Sequence, residues 1–187
     1  MSNHTGRLIL APQDPNSAPE SRALVRALSN AGFLGGTLGT DADRFLVGEE
    51  FLQLMTFAGC AVQVKVAPHM QGDEPFCHIR IAGPYATPRA MLGSNTRPPR
   101  CPTCRAPLRD WRSVAGPTWT AATALPCPAC AVEAPLCAWD WKESGGFARL
   151  AIWIEEDFPG EAAPTDALIQ LLANTCGDPW RHFYLQE

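Results

Sequence analysis

The chain has 187 residues, enough for one good core and a small appendage. Apolar residues make up 46% and charged residues 18%, which excludes a disordered chain. The net charge of −4 argues against a general nucleic-acid-coating role, which needs excess positive charge.

Residues 1–7 lack the basic and apolar regions of a signal peptide. No apolar stretch approaches the roughly 18 residues of a transmembrane helix. The expected compartment is a reducing cytoplasm, where eight cysteines read as metal ligands or buried thiols before disulfides.

In chain order, Arg7–Ala11 predicts a first strand. Ser17 and Glu20 have capping-box spacing, and Pro19 suits a first helical turn. Leu24, Leu28 and Ala31 then share a helix face that Gly32 ends. Gly35-Gly36 predicts a turn, and Arg44–Val47 a short strand. Gly48-Glu49-Glu50 opens a second helix, with Phe51, Leu52, Leu54, Met55 and Phe57 apolar on most sides. Residues 60–67 and 76–81 alternate as strands and predict an antiparallel pair. Residues 83–100 read as a linker rich in proline. After Gly145-Gly146, residues 147–154 return to strand character. Thr165 and Asp166 cap a helix lined by Leu168, Leu171 and Leu172, Gly177 ends it, and Trp180–Leu185 closes the chain as a strand.

This order predicts an α+β fold: an antiparallel or mixed sheet with helices packed on one face. Residues 1–96 and 142–187 form the expected body, and residues 97–141 an inserted module.

The strongest chemical signal lies in that insertion. Cys101-Pro102-Thr103-Cys104 and Cys127-Pro128-Ala129-Cys130 are two C-x2-C pairs with 22 residues between them. A C-x2-C turn can place two thiolates on one ion, and two such turns complete a tetrahedron with no open position. Between the pairs, residues 110–114 and 118–124 predict a hairpin over Gly116-Pro117. So small a hairpin has little core, and metal binding would supply much of its folding energy. The two C-P-x-C knuckles resemble the zinc-ribbon family, over about 40 of the 187 residues. That resemblance implies a structural zinc and a binding surface for protein or nucleic acid, and it implies no single reaction. Iron in a rubredoxin-like site is the alternative metal. Arg105 and Ala131 stand where a glycine usually follows each knuckle, which favours zinc. Cys137 is either a fifth candidate ligand or a small packed residue.

Other constellations are weaker. Arg97, Arg100, Arg105, Arg109 and Arg112 surround the first knuckle, with Trp111 and Trp119 available for stacking. This is either a partner or nucleic-acid contact, or a solvated face paired to the acidic body. Glu155, Glu156, Asp157 and Glu161 are the acidic counterpart, or an ordinary solvated loop. Cys60, Cys77 and His78 would have to converge to form a second metal site or a nucleophile, and strand alternation sets Cys77 and His78 on opposite faces. Cys176 belongs to an apolar helix face. His69 and His182 read as surface residues.

Three functions follow as expectations. The first is a zinc-ribbon binding or adapter protein acting through protein–protein contacts. The second is a nucleic-acid-associated factor using the arginine-rich ribbon. The third is an enzyme or maturation factor with a site between ribbon and body.

Overall fold

A computed structural model describes residues 6–57, 76–116, 118–156 and 162–186. Within them the elements run β1 (Gly6–Pro12), α1 (Ser21–Asn30), β2 (Leu34–Thr37), β3 (Arg44–Val47), α2 (Phe51–Leu54), β4 (Met55–Phe57), β5 (His78–Ala82) and β6 (Arg89–Leu92). They continue with α3 (Trp111–Ala115), β7 (Ala124–Pro126), β8 (Glu133–Pro135), β9 (Gly145–Ala148), β10 (Ala151–Glu155), β11 (Ala162–Pro164), α4 (Asp166–Cys176) and β12 (Trp180–Gln186). Short 3-10 turns occupy Leu136–Ala138 and Lys142–Ser144.

Six strands form an antiparallel sheet in the order β12-β1-β10-β5-β3-β2. Strand alternation gives it two apolar faces. One carries Leu8, Leu10, Ile79, Ile81, Ile152 and Ile154, packed with Leu24 and Leu28 of α1 and Leu168 and Leu172 of α4. This is the predicted α+β arrangement, with the two long helices on one side. Thr165 Oγ1 accepts from the Leu168 N–H at the start of α4, and Gly177 closes it at φ 75°.

The opposite face carries Ile9, Ala11, Ala151, Phe183 and Leu185, which pack with Met91 of β6 and Ala148 of β9. Those two strands pair antiparallel with Met91 opposite Gly146 and Ala90 opposite Phe147. Their alternate residues, Ala90, Leu92 and Phe147, face away and join a third core built from the cysteine-bearing segment. The β6–β9 ribbon is thus a two-sided layer between the main sheet and that segment.

Several local expectations need correction. The stretch 83–100 is not linker throughout, since β6 lies within it and finds its partner 53 or more residues later in β9. Gly35-Gly36 lies inside β2 and makes no turn. The second helix stops after Leu54, because Met55–Phe57 pairs with β11 across the Met55–Pro164 register. Its Leu52 is 51% exposed, so burial is not on most sides. Glu20 caps α1 alone, accepting from the Arg22 and Ala23 N–H groups, while the Ser17 hydroxyl donates to Asp178. Residues 147–154 are two strands, broken at Arg149-Leu150. The strand expected over 60–67, its pairing with 76–81, and residues Cys60 and His69 fall outside the described residues.

Candidate metal centre and the adjoining cleft

Each C-P-x-C pair forms the same backbone loop. In the first, the Arg105 N–H donates to the Cys101 carbonyl at 3.0 Å, and the Cys101 N–H donates to the Ala106 carbonyl at 2.9 Å. In the second, the Ala131 N–H donates to the Cys127 carbonyl at 2.9 Å, and the Cys127 N–H donates to the Val132 carbonyl at 2.9 Å. The residue after each second cysteine must take left-handed backbone to make this turn. Arg105 does so at φ 66° and Ala131 at φ 59°. The two positions flagged by their missing glycines are therefore the two that most need one.

The two loops face each other. The Cys101 and Cys130 sulfurs lie 3.7 Å apart, the Cys104 and Cys127 sulfurs 3.5 Å apart, and all four fall within 4.8 Å of one another. A tetrahedral ion with metal–sulfur bonds of about 2.3 Å needs sulfur–sulfur edges of about 3.8 Å. The residues present fit such an ion without rearrangement. Cys101 and Cys127 are buried, and Cys104 and Cys130 are exposed.

Backbone donors prepare the sulfurs for negative charge. The Cys104 N–H lowers the Cys101 thiol to about 6 against the opposing effect of burial, with help from the Thr103 N–H. Burial opposes ionisation of Cys127, but the N–H groups of Ala129 and Cys130 outweigh it and its thiol is lowered. Cys130 is pushed up to about 12: the Val132 N–H works against this, but burial and the neighbouring sulfurs prevail. Four crowded sulfurs cannot all ionise cheaply without a cation between them.

Around the cluster, the predicted hairpin is absent. Residues 111–115 form α3, and the hairpin arms are instead β7 and β8, which pair from Ala124 opposite Pro135 to Pro126 opposite Glu133. A tryptophan cluster explains the difference. Trp111 packs edge-on to Trp141 at 4.8 Å and Trp119 at 5.6 Å, and Trp141 meets Phe147 of β9 at 5.6 Å. A helical turn puts Trp111 inward with 2% exposure. The indole N–H groups of Trp139 and Trp141 donate to the Ala134 and Leu136 carbonyls, so burial leaves neither unsatisfied.

This packing corrects the reading of Trp111 as a contact residue, since its ring presents no open face. Arg112 stacks its guanidinium over that ring at 4.6 Å, and Arg105 pairs with Asp140 at 2.8 Å. Lys142 shares the same carboxylate at 3.1 Å. Burial resists ionisation of Asp140, but Lys142 and Arg105 hold its carboxyl below the usual range. Arg97, Arg100 and Arg109 instead line a cleft of about 1490 Å³, together with residues of β12. Its cations Arg97, Arg100, Arg109, Lys142 and Arg181 outnumber its carboxylates Asp140 and Glu143. Sequence reasoning missed Asp140, Arg181 and the cleft itself, because Arg100 and Arg181 are 81 positions apart and no local pattern links them.

The remaining candidates disperse. Cys77 is buried in the helix-side core, whereas the His78 ring bonds the Phe76 carbonyl through Nδ1 at 3.0 Å. Cys137 lies outside the four-sulfur cluster, and burial pushes its thiol up. Cys176 packs against the helix-side core. The His182 ring sits edge-on to Tyr184 at 5.8 Å. Glu155 pairs with Arg7, so it is no counterpart of the arginines at the knuckle. No helix among the described residues is long and apolar enough to cross a membrane. Compared with known proteins, the chain matches no family model, no curated protein and no solved structure.

Proposed function

We propose that this protein is a cytoplasmic zinc-holding adapter that acts through protein–protein contacts. Its zinc is structural, and its α+β body carries the metal-bound segment as a rigid binding element. The observation that carries this reading is the cluster of four sulfurs within 4.8 Å of one another, with two pairs at 3.5 and 3.7 Å; four thiolates on one tetrahedral ion would leave no position for a substrate. Cys101, Cys104, Cys127 and Cys130 are the ligands, with iron as the less favoured metal. The residues 97–141 act as the inserted unit.

Two further observations favour binding of protein over the alternatives. A nucleic-acid role would use exposed aromatic faces beside free guanidinium groups. Trp111 is buried, Arg112 covers it, and Arg105 is engaged by Asp140. An enzyme would need convergent titrating groups in the cleft. Of the groups there, burial disfavours the Cys137 thiolate, and Arg105 and Lys142 already engage Asp140.

The test combines metal analysis with partner capture. Purified protein should hold about one equivalent of zinc by mass spectrometry. A photo-crosslinking amino acid at Arg97 or Leu52 should attach the protein to polypeptides in its host. Less than half an equivalent of any metal would overturn the zinc reading. Salt-dependent binding of oligonucleotides, lost in an Arg100→Ala/Arg109→Ala variant, would move the assignment to the nucleic-acid reading.

A further inference from the structure

Strand β12 is an edge of the main sheet. Its inner side pairs with β1 along the whole strand, with Arg181 opposite Ala11 and His182 opposite Leu10. Antiparallel pairing makes residues alternate between those bonded to the neighbour and those whose N–H and C=O point away. The Gln13 N–H donates to the Pro179 carbonyl at 2.8 Å, which sets the odd-numbered residues inward. The even-numbered ones must therefore face out.

The far end of that outer edge is already closed by a side chain that imitates a strand. Asn95 Nδ2 donates to the Tyr184 carbonyl at 2.9 Å, and the Gln186 N–H donates to Asn95 Oδ1 at 3.0 Å. The Ser94 N–H donates to the Gln186 carbonyl at 2.7 Å. At His182 this cover stops. Its backbone N–H and C=O have no partner among the described residues, and the residue lines the basic cleft. An open edge of this kind is a template for another strand.

The cleft also contains a cation with an unfilled bond. The Arg181 guanidinium lies over the Phe183 ring, 5.4 Å from its centre, and passes Gly146 so closely that a Cβ there would sit 2.6 Å from Nη2. Its Nε is buried and has no hydrogen-bond partner among the described residues. Burial pulls this group down from its ordinary range, against the charge of Asp140. A buried donor without an acceptor is costly, and the positive charge of this guanidinium adds to the attraction the cleft holds for a carboxylate. At about 1490 Å³ the cleft exceeds the roughly 300–1,000 Å³ usual for a small molecule, so a polymer fits it better.

We infer that this cleft receives an extended acidic segment of a partner protein, which adds to the open edge of β12 at His182 and sets its carboxylates against Arg97, Arg100, Arg109 and Arg181. Backbone bonds at His182 fix the segment's direction, and the arginines select its charge. Nucleic acid would satisfy the charge but not the strand edge. The inference rests on the protein-binding reading above and names the partner's chemistry.

The test is selection of a random 12-residue peptide display library on the full metal-loaded chain, followed by fluorescence anisotropy of the recovered peptides. Recovered sequences should carry net negative charge. The exposed pair Arg97→Glu/Arg109→Glu should weaken them at least tenfold without changing the melting temperature. His182→Pro removes the outward N–H together with the imidazole and spares the β1 pairing; it should weaken them at least tenfold, whereas His182→Ala, which keeps the N–H, should not. Circular dichroism melts check that these variants fold. The inference fails if neutral or basic peptides are recovered, if His182→Pro binds as well as the parent, or if only a thymidine oligonucleotide binds. Host crosslinks at Leu52 with none at Arg97 would leave the adapter reading standing and remove the cleft from it. Crosslinks to no polypeptide at either position would remove both.

Discussion

Cys127→Ser should release the metal, open the cysteine-bearing segment and leave the main sheet folded. The serine is nearly the size of the cysteine it replaces, so the loss is of a ligand and not of packing. The third core contains eleven buried residues, one of them Phe147 from β9. A unit near 40 residues rarely supports itself without a metal or disulfide. Structural zinc contributes about 10–16 kcal/mol in small metal-folded peptides at neutral pH, as much as the whole stability of an ordinary domain. Removing it therefore exceeds what this core can supply alone. The helix-side core, by contrast, contains no residue between 97 and 141. The six tryptophans separate the two events: Trp111, Trp119, Trp139 and Trp141 report on the cysteine-bearing segment, and Trp153 and Trp180 on the sheet. Tryptophan emission of Cys127→Ser should shift to the red, while the far-ultraviolet helix signal of α1 and α4 stays near that of the parent. A strong chelator added to the parent should reproduce this, and Cys137→Ser, outside the cluster, should keep its metal. If the helix signal collapses together with the emission, or if emission does not move, the two cores are not separately stabilised and the reasoning is wrong.

Three further outcomes test other parts of the structure. Leu28→Ala, fully buried between α1 and the sheet, should lower stability by about 2–5 kcal/mol in urea melts followed by helix signal, with metal content unchanged. Ala131→Gly should stabilise the cysteine-bearing segment by about 0.5–1 kcal/mol, because φ 59° strains alanine more than glycine; slower zinc loss to a competing chelator would show it, and faster loss would contradict it. Acid should empty the site. The Cys101 thiol is lowered from its ordinary 9.0 to about 6, so its contribution is present in full above pH 9 and is lost as pH falls through 6. Protons compete with metal for the same sulfurs, so metal release followed by a colorimetric zinc indicator should rise as the pH is lowered; release that does not depend on pH would contradict this.

Much of this was legible because the relevant signals are local. A capping threonine and a closing glycine frame α4, and a short apolar run marks β1. The C-P-x-C spacing brought four sulfurs together because each pair is one turn, and only the distance between turns depends on the rest of the chain. The errors share a different cause. Met55–Phe57 left its helix to pair with β11, more than a hundred residues away, and β6 looked like linker until β9 was beside it. A helical pattern of apolar residues cannot say that a strand edge will compete for the same backbone. Trp111 stands among arginines in sequence, which suggests a stacking contact there. Its burial depends on Trp119, Trp141 and Phe147 arriving from three other segments.

The β6–β9 ribbon also explains how the metal and the cleft depend on each other. Its Met91 and Ala148 grip the main sheet, while Ala90, Leu92 and Phe147 grip the tryptophan core. Arg100 pairs its backbone with Asp140, so the entry and exit of the cysteine-bearing segment are tied together beside the first knuckle, with the Arg100 N–H donating at 2.8 Å. Asp140 in turn holds Arg105, the strained residue of that knuckle. One wall of the cleft is therefore built on the knuckle and the other on β12. A metal that fixes the knuckle also fixes the distance between the arginines and the strand edge. Chelation should then weaken an acidic peptide in the cleft even though none of the four clustered cysteines lines it. Anisotropy measured with and without chelator, at constant ionic strength, distinguishes this from simple charge attraction: equal affinity in both would mean that the metal shapes the segment without shaping the cleft.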